Sequence, residues 1–263
     1  MKQIQIIMGT PVIVEIVDKE GKQELFDEVF DYFRYVDDKF STYKSTSEIT
    51  AINDKKLKEP ARPLDLSGAG GEEMSNDMKL VFNLSEETKK LTNGYFDIIT
   101  PAGKYDTSGL VKGWAIFNAS NILKNHGIKN FFVEAGGDIQ TSGINESGEP
   151  WCVGIQNPFS EKREVIKKVY LHKDEGIATS GNYVRGNHIY NPKDKNDSLA
   201  DIVSITVIGP NIFEADRYAT AAFAMGKKGI FFIEELEGFE GYSIDKDGQA
   251  IMTKGFDNYI KII

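Results

Sequence analysis

Short apolar runs and helical apolar stripes follow one another along this chain without the regular strand–helix–strand spacing of a parallel sheet. That order favours an α+β fold, with mixed β-sheets and packed helices, over a doubly wound one. Residues 4–7 and 12–17 read as two strands hinged at Gly9-Thr10-Pro11. Leu25, Phe26, Val29, Phe30, Phe33, Val36 and Phe40 recur at helical spacing and form a core-facing stripe. A short helix capped by Ser47 follows, then a Gly- and Pro-rich loop over residues 60–75. Further helices are expected over residues 78–91, 112–125, 215–225 and 228–236. Strands are expected over 131–135, 151–155, 165–171 and 203–208, with a hairpin around Asp247-Gly248. No repeat or low-complexity linker divides the sequence, so residues 1–263 are read as one domain.

The 263 residues are 40% apolar, enough for a large core. Forty acidic against 31 basic residues give a net charge of −9, which argues against bulk nucleic-acid binding driven by phosphate neutralisation. One cysteine, Cys152, excludes an intramolecular disulfide and a multi-cysteine metal cluster. It is read as buried packing beside Trp151. No secretion signal is evident and no run approaches the roughly 18 apolar residues of a membrane span, so a cytoplasmic setting is expected.

Chemistry concentrates at polar, glycine-marked places. Asp216 and Thr220, four residues apart, share a helical face and offer oxygen donors suited to a hard cation such as Mg²⁺. Two side chains cannot complete a Mg²⁺ shell, so carbonyls, water and a ligand phosphate must supply the rest. Three turns are expected to approach that ligand: Ser108-Gly109 with Lys112-Gly113, Gly136-Gly137-Asp138, and Thr179-Ser180-Gly181. Lys112 can neutralise phosphate, and Asp106 can cap or orient its turn. The dinucleotide fingerprint is absent, and no nucleophile elbow surrounds Ser180. His188 can move a proton near neutral pH, whereas His126 and His172 read as surface or capping groups. Met8-Gly9-Thr10 and Tyr43 are candidate pocket residues.

These blocks, in this order, resemble the ApbE family of FAD:protein FMN transferases. The matching stretches are Met8-Gly9-Thr10, residues 41–53, Gly94-Tyr95-Phe96-Asp97, residues 108–115, residues 134–138, residues 178–183, Gly186-Asn187-His188-Ile189 and residues 204–226. The resemblance covers nearly the whole chain and implies an α+β domain that binds FAD and Mg²⁺. It implies cleavage of the FAD pyrophosphate, phosphoester attachment of FMN to a Ser or Thr of a target flavoprotein, and release of AMP. It makes Asp216, Thr220 and the Gly109 carbonyl metal ligands. It makes Met8, Tyr43, Glu48, Asp97, Ser108, Gly109, Lys112, Gly136, Gly137, Asp138, Thr179, Ser180 and Gly181 cofactor-pocket residues. His188 is the expected general base, with Asp216 and Lys112 also catalytic.

The stretch Asn187-His188-Ile189-Tyr190-Asn191-Pro192-Lys193-Asp194-Lys195 lacks one histidine, the aspartate and the Thr-Gly common among relatives. The connection from Asp97 to Asp106 is short. Two rival functions are therefore carried forward: an FAD pyrophosphatase in which water replaces the protein hydroxyl, and a non-catalytic flavin-binding protein. Neither the acceptor nor the oligomeric state is legible from the sequence.

Overall fold

A computed structural model describes residues 1–57, 74–160, 162, 164–182, 189–194, 199 and 201–260. His188, Tyr183 and most of the expected loop over 60–75 lie outside the described residues.

The chain opens with strands β1 (Lys2–Ile7) and β2 (Thr10–Ile16), joined through Met8 and Gly9, both at positive φ. This is the two-residue turn that matches strand twist. Helices α1 (Gln23–Phe40), α2 (Glu48–Asn53) and α3 (Asn76–Leu91) follow. Ser47 and Ser75 cap α2 and α3 by accepting from the Thr50 and Met78 amides. Next come α4 (Ser108–Asn125), β3 (Phe131–Ala135), β4 (Asp138–Ser142), β5 (Trp151–Gln156), β6 (Val165–Leu171), β7 (Gly176–Gly181) and β8 (Ile202–Gly209). The chain continues through α5 (Ile212–Ala224), α6 (Gly229–Glu234), β9 (Glu240–Asp245) and β10 (Ala250–Met252).

Eight strands form one antiparallel sheet in the order β1-β2-β3-β4-β7-β8-β9-β10, and β5 pairs with β6 in a separate ribbon. The α+β fold class therefore holds. Strand alternation sends adjacent residues to opposite faces. Ala178 joins the helix-side core with Val12, Val14, Phe131, Val133 and the α1 stripe. Its neighbour Ile177 joins Ile139, Trp151, Val153 and Tyr242 beneath the ribbon. Phe26, Phe30 and Phe33 are fully buried, each contributing roughly 1.5–3 kcal/mol of hydrophobic stabilisation. Among the described residues no helix is long and apolar enough to cross a membrane.

Four expectations need correction. Thr179-Ser180-Gly181 is the end of β7, not a turn; its small residues are held by pairing with Ser204, Ile205 and Thr206. Ser108-Gly109 is the first turn of α4 rather than a loop before it. Helix α5 begins at Ile212, because Asn211 caps it by accepting from the Glu214 amide, so Asp216 lies one turn inside. Cys152 is exposed, because its side chain is on the outer face of β5 while Trp151 and Val153 pack inward.

Candidate active site

Helices α4 and α5 cross where their side chains are smallest. A Cβ on Gly113 would stand 2.6 Å from Asp216 Cβ and 2.9 Å from the Ile212 carbonyl oxygen, so only glycine permits this approach. The closeness lets the Gly113 amide donate to Asp216 Oδ2 at 2.8 Å. One turn away, Thr220 Oγ1 donates to the Gly109 carbonyl at 3.2 Å. Residues 109 and 113 on one helix thus face 220 and 216 on the other. The arrangement gathers a carbonyl, a hydroxyl and a carboxylate, with Asp216 and Thr220 on one face of α5 as their spacing leads one to expect.

Lys112 projects from the same turn of α4 and pairs with Asp138 Oδ2 at 2.5 Å. Asp138 opens β4 directly after the Gly136-Gly137 turn, and its Oδ1 accepts from the Thr179 amide at 3.1 Å. Both carboxylates are buried, Asp138 at 1% and Asp216 at 3% exposure. Burial drives the Asp216 carboxyl well above the usual carboxylate range, and the nearby Asp138 pushes it further up. Lys112 and the Gly113 amide pull against both effects. Two buried carboxylates thus face one ammonium, a negative site that a divalent cation would neutralise. Hard oxygen donors fit Mg²⁺, which commonly takes one or two carboxylates with substrate phosphates and water. Among the described residues no three His, Cys, Asp or Glu side chains group as a self-sufficient metal cage.

A cavity of about 670 Å³ opens over these groups. It is lined by ten of the residues expected from the sequence: Asp97, Ser108, Gly109, Lys112, Gly136, Gly137, Asp138, Thr179, Ser180 and Gly181, together with Asp216 and Thr220. Gly137 has φ +96°, and nothing stands within 4 Å of where its Cβ would be, so a ligand can come close to the backbone there. Three expected residues do not line it. Met8 packs against the helix-side core, and Tyr43 is 98% exposed. Glu48 accepts from the Ser75 amide at 2.6 Å and Ser75 Oγ at 2.7 Å, and pairs with Lys39, tying α2 to α3 and α1.

Other lining residues escaped the sequence reading as pocket groups, among them Tyr95, Phe132, Glu134, Cys152, Gln156 and Tyr190. Glu134 was visible as a lone charge inside an apolar strand, half-buried with its carboxyl pushed up by burial. Tyr190 donates to the Asp97 carbonyl at 2.6 Å, and Lys193 lies 4.5 Å over the Tyr95 ring, so residues 189–194 are fastened to the 95–97 turn. Asp106 does orient its turn, accepting from the Ser108 amide at 2.9 Å. His126 caps α4 and pairs with Glu28 on the surface.

A FAD:protein FMN transferase from Vibrio cholerae serotype O1 is 34% identical to this chain over 131 residues, 47% of this chain and 39% of its own. One from Escherichia coli strain K12 is 30% identical over 156 residues, 56% of this chain and 44% of its own. The match thus spans less than half the length of these relatives. Among solved structures, the flavin transferase ApbE from Vibrio cholerae aligns with a TM-score of 0.80 at 22% identity, over 98% of both chains. The ApbE protein from Thermotoga maritima aligns with a TM-score of 0.82 at 21% identity, over 99% of both. These likenesses establish the fold. The ApbE family model matches residues 8–102 and 100–243, and the chain therefore belongs to the ApbE family.

Proposed function

We propose that this chain is a Mg²⁺-dependent FAD:protein FMN transferase whose acceptor is a Ser or Thr of a flavoprotein. The observation that carries this reading is the meeting of the Gly109 carbonyl, Thr220 Oγ1 and buried Asp216 beside the Lys112–Asp138 pair, under one cavity. Named relatives of that activity and the family membership support it.

Asp216, Thr220 and the Gly109 carbonyl would hold Mg²⁺, which when bound offsets charge on the diphosphate oxygens. Lys112, whose ammonium is held by Asp138 at the cavity, would meet the same oxygens. The open space at Gly137 would leave room for the nucleotide against the backbone. Phe132 and Ile139 give the cavity an apolar side suited to a planar ring. In the transfer, the acceptor oxygen bonds to the flavin-side phosphorus. The bond from that phosphorus to the bridging oxygen breaks, and AMP departs with that oxygen. The hydroxyl proton passes to a base, the role proposed for His188.

The test is to incubate the protein with FAD, Mg²⁺ and candidate flavoprotein domains and to measure intact masses and free nucleotides. The expected result is an acceptor heavier by one FMN unit with AMP released. Free FMN and AMP without mass gain would point to hydrolysis. Bound FAD without turnover would point to a binding module.

A further inference from the structure

Residues 152–157 line the cavity without a break. Side chains of an extended strand alternate between faces, so a strand presenting only one face contributes every second residue. Strand β3 does so here, through Phe132 and Glu134. An unbroken run means that β5 turns its backbone edge, not a face, toward the cavity. Its other edge is occupied by β6, and among the described residues no strand pairs with the cavity-side edge.

The direction of the backbone groups follows from one hydrogen bond. The Asn157 amide donates to the Glu164 carbonyl at 2.7 Å, so position 157 faces the β6 side. Alternation along an antiparallel strand then turns residues 155, 153 and 151 toward β6. The N–H and C=O groups of Cys152, Gly154 and Gln156 point to the cavity. The irregularity in the ladder between Ile155 and Gln156 leaves this count intact, because the extra residue, Ile166, lies on β6. The side chains of 151, 153 and 155 are anchored in the core under the ribbon, so the edge is held in place.

We propose that this free edge of β5 docks the acceptor: an extended polypeptide segment bearing the target hydroxyl adds as a strand beside residues 152–156. The proposal rests on the transferase reading and names how its protein substrate is held. The occupant is a polypeptide because an exposed ladder of alternating donors and acceptors is matched by another extended backbone. The ladder opens into the same cavity as Asp216 and Lys112, where the hydroxyl must arrive.

The probe is a synthetic peptide spanning the Ser or Thr that gains the FMN mass, methylated on one backbone nitrogen at a time. Strand pairing predicts that methylation at alternate positions raises the KM for the peptide about tenfold or more, while the intervening positions have little effect. A second arm uses the intact acceptor domain with Cys152→Pro. This change removes one cavity-facing N–H and no bond to β6, and should raise the acceptor KM about tenfold, whereas Cys152→Ala should not. Methyl effects without alternation, or an unchanged KM with folded Cys152→Pro, would overturn the docking edge and leave the transferase reading standing. A wild-type chain that gives no acceptor mass gain would overturn both.

Discussion

The Gly113 amide donates a 2.8 Å hydrogen bond to Asp216 Oδ2, joining positions 103 residues apart in the sequence. The bond exists because a helix without a side chain at 113 lets its neighbour's carboxylate reach the main chain. It aims the carboxylate from within the core, where an unpartnered charge would be costly. Asp216 is buried at a helix crossing in a way that packing alone does not require.

Gly113→Ala should therefore damage stability and site together. The added methyl would lie within 3 Å of Asp216 and the Ile212 carbonyl, so the helices must separate or the carboxylate must move. A loss of about 1–3 kcal/mol is expected in urea unfolding, with AMP release from FAD falling in parallel. Unaltered unfolding would show that the crossing is looser than described.

Lys112→Met should destabilise the fold by about 3 kcal/mol, because it leaves the Asp138 and Asp216 carboxylates buried without their shared counter-charge. The double variant Lys112→Met with Asp138→Asn should regain part of that loss. Thermal melts of both proteins check this; equal stability of the two variants would contradict it.

Asp18 offers a pH-dependent test away from the site. Its carboxylate accepts from the Lys129 amide at 2.5 Å, the Asn130 amide at 2.9 Å and Asn130 Nδ2 at 2.6 Å. Burial pushes its carboxyl up, but these bonds and the Lys129 charge outweigh burial and hold it below its ordinary value. A carboxyl depressed by folding adds stability above its unfolded value near 4, and that stability is lost as pH falls through the folded value. Asp18→Asn should cost about 1–2 kcal/mol at pH 7 and less at pH 3. A gap to wild type that stays constant between the two would contradict the assignment.

Much of this architecture can be read from period and punctuation. The apolar stripe from Leu25 to Phe40 is fully realised in α1, and the Asp247-Gly248 hairpin joins β9 to β10. Strands β4 and β7 are illegible because their residues are small or polar. Gln140 is wholly buried, yet it is satisfied by donating to Asp174 and the Thr141 carbonyl and accepting from the Ile212 amide. Asp174 and Ile212 are too distant in sequence to leave a local trace. The start of α5 had a readable signal in Asn211 with Glu214 three residues on. At the site, Asp216, Thr220 and Gly109 were legible from spacing and resemblance. Glu48 was named by resemblance alone and Tyr43 also as a candidate pocket residue of the sequence, and the structure keeps both out of the cavity lining.

The rate of AMP release from FAD, measured across a Mg²⁺ titration for wild type and Asp216→Asn, addresses the central assignment most directly. Asparagine can still accept from the Gly113 amide and removes a buried charge, so the variant should fold as stably as wild type. A wild-type rate that rises with Mg²⁺ and falls about a hundredfold or more in Asp216→Asn is the predicted result. Equal rates in the two proteins, or a wild-type rate indifferent to Mg²⁺, would contradict it.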